Sequence, residues 1–482
     1  MKKIICIILV MIMMSGLLAC VKKDNPAEIT SAKTEDVTTL ITDTTTALVP
    51  NLPDVKYDGY EFKIANAAYG NTKYTYSYLT AENETGNPIA DATFKRNQKI
   101  LDQFGVTVAD INVTTAEFTT LQASQDNTYA LATVDLSHVM SLVTKGYAID
   151  FNNISTIDLS MPWWDQNARV KLSVNNKLYY TFSDFTIYAL DNTRAVYFNK
   201  NLILDLGLES PYQLVEDNQW TVEKMIVMGI DAVQDNGDGI YDSNDRYGIV
   251  NTATTVYEAM LTGCNAEIVK QGDDGVPYFC CFDEKDYFVS VYNFLLEQFN
   301  RNNVYYISDT NTERTMFASG NALFVVDTLL EASILRMEEI DFGILPVPKY
   351  SSEQESYLNV SPNPHALLIP KSSEDTDRTG VILEALSYYS SNYYSENALI
   401  PQYFELTLQS KSATDLASAE SLQIIHDNVS YVIKIVGTDF SSTIFQSYFA
   451  TNNAAIVSLI DSSKLSQNRL LETAVDTITK LN

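Results

Sequence analysis

Glu61-Phe62-Lys63-Ile64-Ala65, the run from Ile89 to Phe104, and Gly105-Val106-Thr107-Val108 are the three pieces that decide the fold. The first alternates apolar and polar residues, as a half-buried strand does. The second places Ala92, Ile100, Leu101 and Phe104 toward a core at helical spacing, and Gly105 stops it before a strand resumes. Strand, helix, strand is a β-α-β unit and favours a parallel sheet. The pattern recurs downstream. Ala322 to Val326 is a short apolar strand after Gly320. Phe342 to Val347 is another, closed by Pro346 and Pro348. Val381, Ile382, Ala385, Leu386 and Tyr389 repeat at helical spacing. With no internal repeat of short period, alternating strands and helices over most of the chain indicate an α/β fold.

Working back from Glu61, order is expected to begin near Tyr57. Residues 21–53 hold eight threonines, Pro26, Pro50 and Pro53, and no aromatic residue. Such a segment cannot bury enough surface to fold. Residues 20–54 therefore read as a flexible tether with a reach on the order of 30 Å. Before it lie Lys2-Lys3, an apolar stretch from Ile4 to Met14 and Leu17-Leu18-Ala19, which together read as a signal peptide over residues 1–19. Cys20 follows directly. A cysteine there resembles the lipobox of bacterial lipoproteins, which implies cleavage before Cys20 and a diacylglycerol on its thiol. Two acyl chains are enough for stable anchoring. The expected location is the outer face of the cell membrane, held by lipid alone.

The chain of 482 residues is long enough for two or three domains with proper cores. Its formal net charge of −29 makes nucleic acid and anionic lipid surfaces poor partners. After Cys6 and Cys20, only Cys264, Cys280 and Cys281 remain, which is no disulfide framework. One bridge from Cys264 to either neighbour and buried free thiols are both open readings. His138, His365 and His426 lie far apart in sequence, so no zinc site is expected.

Several strings together resemble one family: Asp91-Ala92-Thr93-Phe94-Lys95-Arg96-Asn97, Pro162-Trp163-Trp164-Asp165, Val196-Tyr197-Phe198-Asn199-Lys200, Gln219-Trp220-Thr221, and Asp341-Phe342-Gly343-Ile344-Leu345-Pro346-Val347-Pro348-Lys349. Their order over residues 57–482 is similar to that of the extracellular solute-binding lipoproteins of ABC importers, family 1, rich in sugar binders. The resemblance implies a two-lobed α/β fold of the periplasmic-binding-protein type, with hinge crossings and a ligand in the interlobe cleft. Mapped by order, residues 55–188 with 362–400 form the first lobe, and 189–361 with 401–482 the second. Crossings fall near Tyr188 to Asn192 and near Asn359 to Asn363, and the chain from about Pro401 returns to the second lobe.

Aromatic side chains suit sugars, whose rings present apolar C–H faces, while hydroxyls need polar partners. Trp163 and Trp164 with Asp165 are the leading first-lobe candidates; both indoles as core packing is the competing reading. Ser183 and Asp184 follow Phe182 and the Leu178-Tyr179-Tyr180 strand, at a place that faces the cleft in the family. Asp327 ends a second-lobe strand and can meet a ligand hydroxyl or cap the following helix. Asn66 and Tyr69 follow the first strand, at the carboxyl end where α/β proteins bind ligands. Asn363 and His365 adjoin the second crossing. Trp220, before the N-cap residue Thr221, reads as packing.

The run from Gln234 to Asp245 offers oxygens from Gln234, Asn236, Asp238, the Ile240 carbonyl, Asp242 and Asp245. The spacing resembles a calcium loop of the EF-hand or dockerin type. Gln at the first position and Asp at the last depart from that pattern, and a polar turn without metal fits equally. Any Ca2+ here would be structural; no other cofactor is expected.

Neither a nucleophile elbow nor a phosphate loop is present. The expected activity is capture of a carbohydrate, an oligosaccharide by preference, by a lipid-anchored monomer that hands it to an ABC permease through hinge closure, without catalysis. A peptide or other non-sugar ligand is the alternative within that class. A surface carbohydrate-active hydrolase is the alternative outside it.

Overall fold

The computed structural model describes residues 48–67, 78–338, 340–408, 416–434 and 455–481, with a few isolated positions between 443 and 452. Cys20, the signal segment, most of the expected tether and Tyr69 lie outside the described residues. Leu52 and Val55 already pack against the first core.

The opening β-α-β unit forms as its sequence dictates. Strand β1 (Glu61–Asn66) pairs in parallel with β2 (Thr107–Asn112), and the helix Pro88–Phe104 connects them. Asn87 caps that helix by accepting from the Ile89 and Ala90 amides, and Pro88 takes the first turn, where no amide is needed. Gly105 closes it at φ 67°, a left-handed conformation that glycine adopts without strain. Ala92, Ile100 and Phe104 are buried as expected. Leu101 is not: it is 38% exposed, and Arg96 takes the inward position instead. Arg96 can be buried because its guanidinium donates to the Phe185 and Leu79 carbonyls at 2.9 and 2.7 Å. Burial lowers its pKa to about 9.

Two sheets organise the rest. The first has the order β12-β3-β1-β2, with β3 (Leu131–Asp135) parallel to β1 and β12 (His365–Leu368) antiparallel to β3. The second has the order β10-β4-β9-β5-β8. Its strands are β4 (Arg194–Asn199), β5 (Tyr247–Asn251), β8 (Tyr305–Ile307), β9 (Ala322–Thr328) and β10 (Phe342–Leu345). A hairpin of β6 (Val269–Gln271) and β7 (Pro277–Phe279) stands apart. β11 (Asn359–Ser361) pairs in parallel with β13 (Val429–Tyr431).

Period-two alternation buries both faces of the second sheet. In β4, Ala195 and Tyr197 enter one core while Val196 and Phe198 enter the other. Gly343 on β10 allows close approach: a Cβ there would sit 2.2 Å from the Phe198 ring. The first sheet has a separate core that includes Phe62, Ile64, Leu131 and Leu367. The result is the expected two-lobed α/β architecture.

Two local expectations are corrected. Leu178-Tyr179-Tyr180 is not a regular strand; the segment is an extended stretch joined to β12 by one bridge, Thr181 with Leu367. Asp327 caps no helix, because β9 continues through Thr328. Cys264, Cys280 and Cys281 are buried free thiols. Among the described residues no helix is long and apolar enough to cross a membrane.

Candidate functional site

The crossings enter both sheets at the same end. The first, over residues 188–193, leads into β4, which is antiparallel to β9 and sets Arg194 opposite Thr328. The second, over residues 362–364, leads into β12, which sets His365 opposite Asp135 at the end of β3. The carboxyl ends of the parallel strands in both lobes therefore converge on the crossings, where open α/β sheets bind ligands. The crossings are tied together. The Asn363 amide donates to Asn192 Oδ1 at 2.8 Å, and Ser361 Oγ donates to the Ala189 carbonyl at 2.9 Å.

The first-lobe wall carries Asn66, Asp135, Asn363 and His365. Asn66 Oδ1 accepts from Thr133 Oγ1 at 3.3 Å. Asn363 Nδ2 donates to Asp135 Oδ2 at 2.7 Å, and Asn363 Oδ1 accepts the Ser137 amide at 2.9 Å. His365, 2% exposed, packs its ring on Tyr188 with centroids 4.7 Å apart. Burial pushes its pKa down to about 4 against the pull of Asp135, so it is neutral at neutral pH.

The second-lobe wall is built on β4, β5 and β9. Arg194 Nη1 pairs with Asp327 Oδ1 at 3.1 Å, and that oxygen also accepts the Thr328 amide. Asn251 replaces a rung of the β5–β9 ladder: its amide nitrogen donates to the Val326 carbonyl and its oxygen accepts the Val326 amide, both at 2.7 Å. Glu313 Oε2 accepts from Asn251 Nδ2 and the Thr252 amide at 3.0 and 3.1 Å. Burial, with Asp327 adding, raises Glu313 to about 8. Burial also raises Glu258, against Arg194 and Lys434. Three carboxyl groups around one guanidinium suit a ligand rich in hydroxyls and disfavour an anionic one.

Four sequence-predicted residues, Asn66, Asn363, His365 and Asp327, belong to these walls. Five others do not. Trp163 is in the core, and Trp164, Asp165, Ser183 and Asp184 line a different cavity of about 490 Å³ beside the crossings. Both tryptophans have the burial that the core-packing reading expects. Trp163 is 0% and Trp164 1% exposed. Each indole N–H donates at 2.8 Å to Glu384, one to each carboxylate oxygen. Tyr388 meets Trp163 edge-on at 5.0 Å, and Phe151 meets Trp164 at 6.0 Å. A buried indole N–H requires an acceptor, and one carboxylate serves two. Burial raises Glu384 to about 7, opposed by both indole bonds. Trp220 is packing as expected: fully buried, it donates to the Pro346 carbonyl at 2.8 Å, and Thr221 caps the helix Val222–Ala232.

Arg194, Asn251, Glu258 and Glu313 escaped the sequence reading. Asn251 was within reach of the rule that found Asn66, since it ends a strand directly before the N-cap residue Thr252. Glu313 and Glu258 come from helices and enter the wall only through tertiary packing.

The Gln234–Asp245 loop is held by hydrogen bonds from its own amides. Asp245, 1% exposed, accepts the Asn236 amide on one oxygen and the Asp242 amide on the other, at 2.7 and 2.6 Å. Asp238 accepts the Ile240 amide, Asp242 accepts the Asn244 amide, and Gln234 bridges to Arg246. Among the described residues no group of three or more His, Cys, Asp or Glu is arranged to hold a metal ion.

No protein-family model matches the sequence, and no curated protein matches it. Solved structures do match. A cyclo/maltodextrin-binding protein complexed with maltotetraose is 14% identical with a TM-score of 0.55, over 88% of this chain and 98% of its own. UspC of M. tuberculosis is 13% identical with a TM-score of 0.52, over 86% and 100%. A family 1 extracellular solute-binding protein from Bifidobacterium longum subsp. infantis is 14% identical with a TM-score of 0.50, over 88% and 98%. These likenesses establish the two-lobed fold.

Proposed function

We propose that this chain is an extracellular solute-binding protein that captures a neutral carbohydrate between its lobes and delivers it to an ABC permease. The observation that carries the reading is the meeting of two hydrogen-bonding walls, one from each lobe, at crossings tied through Asn363 and Asn192. Asn66 and Asn363 offer amides from one side; Arg194, Asp327 and Glu258 offer charged partners from the other. Rotation of the lobes about the crossings closes the walls on the ligand, a hinge motion without covalent chemistry. The maltotetraose held by one structure of this fold supports an oligosaccharide as the ligand class. Cys20 would carry the lipid that keeps the protein, as a monomer, on the outer face of the membrane.

A thermal-shift screen against mono- and oligosaccharides tests the reading, since a ligand specific for the native state raises Tm. Asn66→Ala and Asp327→Asn should each weaken the best sugar by about tenfold, the loss of one good polar contact, and Asp327→Asn should also lower Tm because it leaves Arg194 without its anion. Product release from an oligosaccharide would replace the importer reading with a hydrolase. For the anchor, Cys20→Ala should abolish labelling by a fatty-acid analogue; equal label on both proteins would sink the lipoprotein assignment.

A further inference from the structure

The cavity beside the crossings has a chemistry unlike that of the strand ends. One side is the extended segment that runs along β12, the edge strand of the first sheet. The other is the helix Leu416–Asp427, which packs on β10, the edge strand of the second sheet. Ala189 and Leu190 of the first crossing line it between them. Its volume of about 490 Å³ lies within the range of small-molecule sites.

Its walls are aromatic. Phe182 and Tyr431 stack with centroids 4.5 Å apart, and Trp164 and Tyr393 also line the space. Its charge is acidic, and no lysine or arginine is among the lining residues. Asp165 is fully engaged: one oxygen caps the helix Gln166–Lys171 through the Ala168 amide, and the other accepts from the Tyr431 hydroxyl. The histidine in the lining, His426, has its Nδ1 bonded to Asp427 at 3.0 Å. Asp184 differs. Among the described residues its carboxylate accepts no hydrogen bond and joins no ion pair. Burial raises its pKa to about 7, with His426 opposing and Asp165 adding. Thr186, 4% exposed, also lines the cavity, and its buried Oγ1 has no partner among the described residues.

Asp184 is partly buried, and the group that opposes its charge, His426, is already bonded to Asp427, so the cavity stays acidic; a carboxylate and aromatic faces together attract a cation. A neutral sugar adds nothing to match the acidic lining, and one carboxylate free of hydrogen bonds is too few ligands for a hard metal ion. We infer that this cavity is a second binding site, separate from the strand-end walls, that takes the ammonium group of a small organic cation against Asp184. The inference is independent of the carbohydrate reading.

The test is calorimetric titration of the full chain at pH 8 with choline, and with 3,3-dimethylbutan-1-ol, its uncharged counterpart of the same shape. Choline should bind at least about tenfold more tightly than the alcohol. Asp184→Asn should remove that preference while leaving carbohydrate-induced thermal shifts in place, and Asp327→Asn should leave choline binding unchanged. Asp184 accepts no hydrogen bond among the described residues that asparagine would lose, so Tm should not fall and a melting curve certifies the variant. Equal affinity for the two probes, absence of choline binding at millimolar concentration, or an Asp184→Asn variant that binds choline as the wild type does would overturn the assignment. The comparison of the two probes on the wild type decides the matter even without the variant.

Discussion

The two flanks of the crossings are made of opposite materials. At the strand ends, polar side chains hold one another: Arg194 with Asp327, Asn251 with Glu313, Asn363 with Asp135. In the neighbouring cavity, aromatic rings form the walls, and among the described residues the Asp184 carboxylate accepts no hydrogen bond. The first surface is organised before any ligand arrives, as precise recognition of hydroxyl groups requires. The second leaves one charge to be matched from outside. Residue type alone therefore does not mark a ligand surface in this fold. The Trp-Trp-Asp string has the composition of a sugar platform, yet its indoles belong to Glu384 and the core.

The largest effect expected in this comparison comes from breaking a pair at the strand ends. Arg194→Ala leaves Asp327 buried without its cation and should cost roughly 3–5 kcal/mol in urea unfolding. Asp327→Asn placed in the same background should recover part of that loss. A cost below about 1 kcal/mol would mean the pair is solvated and the wall is not preorganised.

A smaller effect separates two buried carboxyl groups that look alike. Glu384 must accept from two indoles, and an amide at that place offers one acceptor and one donor. Glu384→Gln should therefore destabilise by about 1–3 kcal/mol, the cost of an unsatisfied buried donor. Glu313 accepts two N–H groups on a single oxygen, which a glutamine can reproduce, so Glu313→Gln should be tolerated. Matching losses in the two variants would erase the distinction.

pH sharpens the same contrast. Glu313 titrates at about 8 in the folded chain, above its ordinary value of 4.5. Between those values the native state holds a proton that the unfolded chain has released. Its contribution to stability is fully present below about 4.5 and is lost as pH rises toward 8. Glu313→Gln has no proton to lose. Relative to wild type it should gain about 1 kcal/mol or more between pH 5 and pH 8.5. A constant difference across that range would show that Glu313 is solvated.

The smallest effect belongs to the Gln234–Asp245 loop. Its carboxylates already bond the loop amides, so EGTA should leave the melting curve in place. A fall in Tm on chelation, removed by Asp238→Ala with Asp242→Ala, would restore the loop as a cation site.

Much of the architecture was legible because it is written in local chemistry. The Glu61 to Val108 unit declares itself through alternation, helical spacing and Gly105, and β9 and β10 follow from short apolar runs. Asn66, Asn363 and Asp327 were legible as wall residues because each sits at a strand end or a crossing. The partners were not. Glu384 lies 220 residues from Trp164, and Glu313 lies 62 from Asn251; nothing in either neighbourhood marks the meeting. Leu101 was misplaced for a related reason. An arginine reads as surface until the carbonyls that hold it are known.

The central claim is that a carbohydrate draws the two lobes together at the strand ends. Small-angle X-ray scattering of the full chain, with and without a saturating oligosaccharide chosen by thermal shift, tests it most directly. The radius of gyration should fall on binding, and Asp327→Asn should require a higher concentration to produce the same fall. Binding heat with an unchanged radius of gyration, or a fall that Asp327→Asn leaves untouched, would contradict closure at these walls.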